Sequence, residues 1–162
     1  MSFQICIEII EAIAGIIAII GLPVAIYQYM KNRKRENQIA TIDTYARLQN
    51  EAFDPLNKWM PGEIREAMVD NKSDAYKELS GYLARIEVFC AGLVAGIYDF
   101  DTFYSIASGY FEEKAVLGRR LLPMLESKLG NADKDYFRNI HKVWERMNRM
   151  SQKQSQRKEQ NP

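Results

Sequence analysis

The 162-residue chain has two cysteines, one histidine and no phosphate-cradling glycine loop, and each scarcity closes off a class of function. Cys6 and Cys90 are too few and too far apart for a disulfide framework, which fits a reducing compartment for the main domain. His141, with Glu145 one turn later, has no cysteine, serine elbow or second histidine at a recognisable spacing. A structural or surface role is expected for it, because catalysis needs a constellation of groups. Asp99-Phe100-Asp101 does not extend into a calcium loop: the sixth position is Tyr104 rather than glycine, and the twelfth is Tyr110 rather than glutamate. Helix termination and capping account for these aspartates. Gly92 and Gly96 fall within or at the end of a helical pattern, with no strand before them. The expectation is therefore a protein that is not an enzyme, with no catalytic residues, no metal, no cofactor and no small-molecule substrate evident. No strand pattern and no internal repeat is found, so the expected fold class is all-α.

Charge is scarce where it matters most. From Ala12 to Tyr27 there is no charged or strongly polar side chain. Ile9 to Tyr27, with Glu11 as the only charge, is nineteen residues, or roughly 28 Å of helix, close to the thickness of a hydrocarbon core. A soluble core helix would carry a polar stripe over such a length. A secretory signal would place its bases first, whereas here Glu8 and Glu11 precede the run and Lys31, Arg33, Lys34 and Arg35 follow it. That asymmetry predicts an uncleaved anchor with the N-terminus outside and the C-terminal side in the cytoplasm. The four bases are positioned to contact anionic headgroups. Pro23 reads as a tolerated kink. Ala14, Ala18, Gly21 and Ala25 share one helix face, extended by Glu11 and Gln28, and small residues with polar ends are what draw helices together in lipid.

The first thirty residues hold two acids and no base, so the net +1 of the whole chain becomes +3 over the rest. That is too weak and dispersed to argue for nucleic acid. Asn71-Lys72-Ser73 matches a glycosylation acceptor, which a cytoplasmic domain never presents to that machinery.

Beyond the anchor the apolar spacing predicts a series of helices. Residues 36–53 continue from the anchor, with Ile39, Ile42, Ala46 and Phe53 near one face. Asp54-Pro55 opens a short helix through Trp59, Pro61-Gly62 breaks it, and Glu63 to Val69 form another. Asp70 to Asp74 is a loop. Residues 74–97 form a strong amphipathic helix, with Leu79, Leu83, Ile86, Cys90, Leu93 and Ile97 inward. Asp101 caps a further helix with Phe103, Ile106 and Tyr110 inward, bent at Gly109 and Pro123 and stopped at Gly130-Asn131. Asp133 caps the last helix, whose stripe is Tyr136, Ile140, Val143, Met147 and Met150, with Phe137 and Trp144 beside it. From Ser151 onward a polar tail, including Lys153, Arg157 and Lys158, is expected to be disordered. Glu87 lies at the edge of an apolar face and requires a partner, for which Arg119 or Arg120 is the candidate.

Ile86-Glu87 on an apolar helix that closes in Gly96-Ile97-Tyr98-Asp99 is followed by an aromatic helix, a Leu121-Leu122-Pro123 segment, and a last helix with Tyr136 and Trp144. With the N-terminal anchor, this resembles the bacterial family catalogued as domain of unknown function 4760, over most of the chain. Ser127-Lys128 stands where that family has an arginine after the proline, which leaves the partner of Glu87 open. The resemblance implies an inner-membrane protein with an all-helical cytoplasmic domain, and no known activity, catalytic residues or cofactor.

The organisation expected is thus a short extracytoplasmic N-terminus (1–8), a transmembrane helix (9–30), a basic stalk (31–38), a helical cytoplasmic domain (39–150) and a polar tail (151–162). Gly96, Asp99 and Asp101 mark its central helix junction. The expected partners are membrane lipid and either a second copy or another protein. The expected function is a membrane-tethered interaction or self-assembly module. The alternative is an effector, in stress or phage defence, whose anchors assemble and perturb the bilayer.

Overall fold

The computed structural model describes the backbone of residues 3–67, 69–107, 109–110 and 137–160. Within these it describes the side chains of residues 21–60, 62–67, 69–107, 109–110 and 137–156. Among the described residues every regular element is helical and no strand occurs. The order is α1 (Phe3–Leu48), a π-helical turn (Gln49–Phe53), α2 (Asp54–Asn57), α3 (Pro61–Ala67), α4 (Asp74–Val94), α5 (residues 100–107) and α6 (Arg138–Gln160). Two units are distinguished, Met1–Asn37 and Gln38–Pro162. Residues 111–136, which include Arg119, Arg120, Pro123, Gly130, Asn131, Asp133 and Tyr136, lie outside the described residues.

In the first unit α1 continues through Pro23 without a break. In the second unit the same helix buries Thr41, Tyr45 and Leu48. This corrects the expected inward face. Ile39, Ile42 and Ala46 are exposed, and the buried row runs through a threonine and a tyrosine instead. Nor does the chain break at Asp54. Leu48, Phe53 and Asp54 all keep right-handed helical angles, and the Asp54 N–H bonds back five residues to the Gln49 carbonyl. Pro55 has no N–H to offer the Glu51 carbonyl, its partner in a regular α-helix. Arg85 Nη1 donates to that carbonyl at 2.7 Å, so a side chain from α4 satisfies it. Pro61 opens α3 rather than breaking a helix, and Glu63 reaches back to accept from the Met60 N–H at 2.8 Å.

Ser73 caps α4: its Oγ accepts from the Tyr76 N–H at 3.1 Å. The inward row of α4 is Leu79, Leu83, Ile86, Cys90 and Leu93, as its spacing predicts. Ile97 departs from it and is exposed, because α4 ends at Val94 and the chain reverses before reaching it. Ile106 of α5 is also exposed, and Ala107 takes the inward place beside Phe103. Rings fill the core between α1, α4 and α5. Tyr45 stands 5.7 Å from Phe103 and 6.2 Å from Phe89, and Phe89 stands 5.5 Å from Phe103, all tilted or edge-on. Such pairs contribute about 0.5–1.5 kcal/mol each beyond their burial. On α6, Ile140, Val143 and Met147 are buried, and the helix packs on α4. It continues to Gln160, past Ser151 where the composition predicts disorder. Residues 138–160 contain neither glycine nor proline, so nothing stops the backbone ladder once packing has started it.

Thr41 is the one buried polar side chain of this core among the described residues, and its Oγ1 accepts from the Asp99 N–H at 2.7 Å. Thr41→Val keeps the shape but removes the acceptor. It should lower unfolding stability by about 1–3 kcal/mol in urea titration, whereas Thr41→Ser should cost about 1 kcal/mol through the lost methyl. A Thr41→Val protein as stable as the parent would show that the oxygen contributes nothing.

Candidate functional site

Gly21 to Glu36 are exposed without exception. At 3.6 residues per turn, Leu22, Val24, Ile26, Tyr27, Tyr29 and Met30 cover roughly two-thirds of the circumference. Gly21, Ala25 and Gln28 occupy the remaining sector, which is the small and polar face marked out by spacing. A Cβ at Gly21 would meet open space. Glu11, Ala14 and Ala18, the rest of that face, have side chains outside the described residues. Among the described residues no helix is long and apolar enough to cross a membrane. The side chains of residues 1–20, which include most of the apolar run, are not among them. Lys31, Arg33, Lys34 and Arg35 follow, all exposed, and Arg33 Nη1 donates to the Tyr29 hydroxyl at 3.2 Å.

The helix junction is built by a glycine in the left-handed region. Gly96 has φ +73°, the Ile97 N–H returns to the Gly92 carbonyl at 3.0 Å, and the Gly96 N–H returns to the Leu93 carbonyl at 3.4 Å. This is the paired closure of a Schellman ending. Gly92 has a different task. A Cβ there would overlap the Tyr98 ring, which folds back over α4 and stacks on Phe89 at 5.2 Å and 27°. Asp99 then caps α5: its Oδ1 accepts from the Thr102 N–H at 2.8 Å and from the Thr102 hydroxyl at 2.7 Å. Asp101, expected in that role, is exposed inside the helix. It stands two residues too late, because the carboxylate must precede the first turn to reach its free amides.

Glu87 has a partner of a kind no residue pattern announces. Its Oε1 accepts from the Asn139 N–H at 3.0 Å and from Asn139 Nδ2 at 2.7 Å, and its Oε2 accepts from the Ile140 N–H at 3.0 Å. These are first-turn amides of α6, so a carboxylate on α4 caps another helix and sits at the positive end of its dipole. The arginines expected as partners, Arg119 and Arg120, lie outside the described residues. Cys90, one turn from Glu87, is fully buried, and burial first and the Glu87 charge second push its thiol well above the usual range. Such a thiol is inert. His141 is exposed, 6.0 Å from the Trp144 ring and edge-on to it. Tyr45 is pushed up to about 12, by burial first and Tyr110 second, with the Gln49 side chain opposing.

Among the open grooves of the second unit are two lined by described residues. One of about 420 Å³ runs between α1 and α4, where Arg47, Arg85, Val88 and Tyr98 line it. The other, of about 450 Å³, lies at α3 beside Trp59, Glu63 and Ser73. In the second, the Ser73 hydroxyl donates to the Asp70 carbonyl and accepts from the Tyr76 N–H, and Glu63 accepts from the Met60 N–H, so both are taken up by backbone. Among the described residues no three acidic, histidine or cysteine side chains converge as a metal site. No protein-family model, curated protein or solved structure matches the chain.

Thr41, Asn139 and the Gly92–Tyr98 contact were not legible as site residues. Only the glycine offered a signal, as a residue without a Cβ inside a helix. Glu87→Ala should lower stability by about 1–3 kcal/mol and speed hydrogen exchange at the Asn139 and Ile140 amides. Glu87→Gln, which retains one acceptor oxygen, should fall between alanine and wild type. Unchanged exchange at both amides in Glu87→Ala would remove Glu87 as the cap of α6.

Proposed function

We propose that the chain is a single-pass membrane protein, anchored through residues 9–30, that presents its helical domain on the cytoplasmic face of the inner membrane as an interaction or self-assembly module. The observation that carries this reading is the exposed apolar surface of Leu22 to Met30, continuous in one helix with the uncharged run before it and followed at once by four exposed bases. A surface of this kind is costly in water and matches a lipid environment. Tyr27 and Tyr29 beside Lys31 and Arg33 form the aromatic and basic border typical of a headgroup region.

Pairing would run through Ala14, Ala18, Gly21 and Ala25, where two backbones can approach closely. The protein should stay in the membrane fraction through an alkaline wash; extraction by that wash alone would make the segment interfacial. Oxidation should give a Cys6-linked dimer, and Gly21→Leu should sharply reduce it while Ile20→Leu does not. Equal dimer in both would leave the small-residue face to lipid. Toxicity on overexpression that disappears in Gly21→Leu would favour a bilayer-perturbing effector over a passive module.

A further inference from the structure

The face of α6 opposite its buried row is basic throughout. Arg138, Lys142, Arg146, Arg149 and Lys153 are all exposed and fall within an arc of about 80°, along roughly 23 Å of helix. Glu145 is the only acid between residues 138 and 156. It lies at the edge of the arc, and its backbone carbonyl accepts from Arg149 Nε at 3.3 Å. Arg146 is placed by its guanidinium lying 3.8 Å over the Phe100 ring. Lys142, Arg146, Arg149 and Lys153 form no ion pair among the described residues, where the only one is Lys77–Asp74. Like charges three and four residues apart repel along a helix. Arg146 is held by the Phe100 ring and Arg149 by the Glu145 carbonyl, while Lys142 and Lys153 have no carboxylate partner among the described residues.

We propose that this row is a docking face for the anionic phospholipid headgroups of the leaflet that holds α1. The proposal rests on the anchor reading above. A straight row of lysine and arginine can lay all its charges on one plane, and juxtamembrane bases are attracted to an anionic leaflet. The anchor makes the contact intramolecular, so a surface too weak to recruit a free protein suffices to seat a tethered domain. The arc carries no aromatic side chain to stack on bases, which separates it from a single-strand nucleic-acid surface.

The test uses the full chain in lipid nanodiscs, with Cys6→Ser and a fluorophore on Gln152→Cys, and a quencher attached to lipid headgroups. With phosphatidylserine in the disc the docked fraction should exceed that in phosphatidylcholine alone by about tenfold or more, and high salt should abolish the difference. Lys142→Glu/Arg149→Glu/Lys153→Glu should behave in phosphatidylserine as the parent does in phosphatidylcholine, with its helicity by circular dichroism unchanged. Equal quenching in the two lipids, or no effect of the three reversals, overturns the proposal. So does protection of the label by single-stranded RNA while phosphatidylserine has no effect. A chain that fails to enter discs refutes the anchor instead. In that event co-sedimentation with phosphatidylserine vesicles decides the row: binding lost on charge reversal upholds it, and no binding overturns it.

Discussion

A single hydroxyl in the centre of the helical domain fixes how its first and middle parts meet. Thr41 is fully buried, and its oxygen receives the N–H of Asp99, the residue that also caps α5. An amide at the mouth of a helix junction has no partner of its own, and left dry it would cost most of a hydrogen bond. The last third of α1 is therefore tied to the place where α4 ends and α5 begins. The Schellman closure at Gly96 and the Tyr98 ring lying over Gly92 bring Asp99 to that position. The aromatic cluster of Tyr45, Phe89 and Phe103 then closes around it.

The other end of the domain follows the same logic with charge added. The first turn of α6 offers free amides, and Glu87 accepts two of them together with the Asn139 side chain. Apolar contact between α4 and α6 would tolerate sliding; three bonds to one carboxylate set the register. In both places a side chain on one helix completes the backbone of another, at Asp99 and at the start of α6. The Arg85 bond to the carbonyl left by Pro55 is a third case.

These backbone partners explain what the sequence did and did not disclose. The inward row of α4 was legible because five apolar residues recur at threes and fours. The same rule failed at the end of α1, where it selected Ile39 and Ile42 over Thr41 and Tyr45. A threonine that satisfies a buried amide is as much a core residue as an isoleucine, but hydropathy does not rank it so. Ile97 was misplaced because a pattern continues across Gly96 although the chain does not. Glu87 was legible as needing a partner, yet the partner's identity was hidden, since a main-chain N–H belongs to every residue alike. The preference for Asp101 over Asp99 was a matter of two positions, which spacing alone does not resolve.

The anchor reading joins these pieces to a role. On the proposed reading, the uncharged run, the exposed apolar stretch from Leu22 to Met30 and the basic collar after it serve as a membrane anchor, and the helical domain serves for partners. Labelling with a membrane-impermeant maleimide in spheroplasts tests this most directly, by comparing Cys6 with a thiol introduced at the exposed Gln156 in a Cys6→Ser chain. The account predicts that Cys6 reacts in intact spheroplasts and that Gln156→Cys reacts only after permeabilisation. Labelling of Gln156→Cys in intact spheroplasts, or recovery of the protein in the soluble fraction, would contradict it.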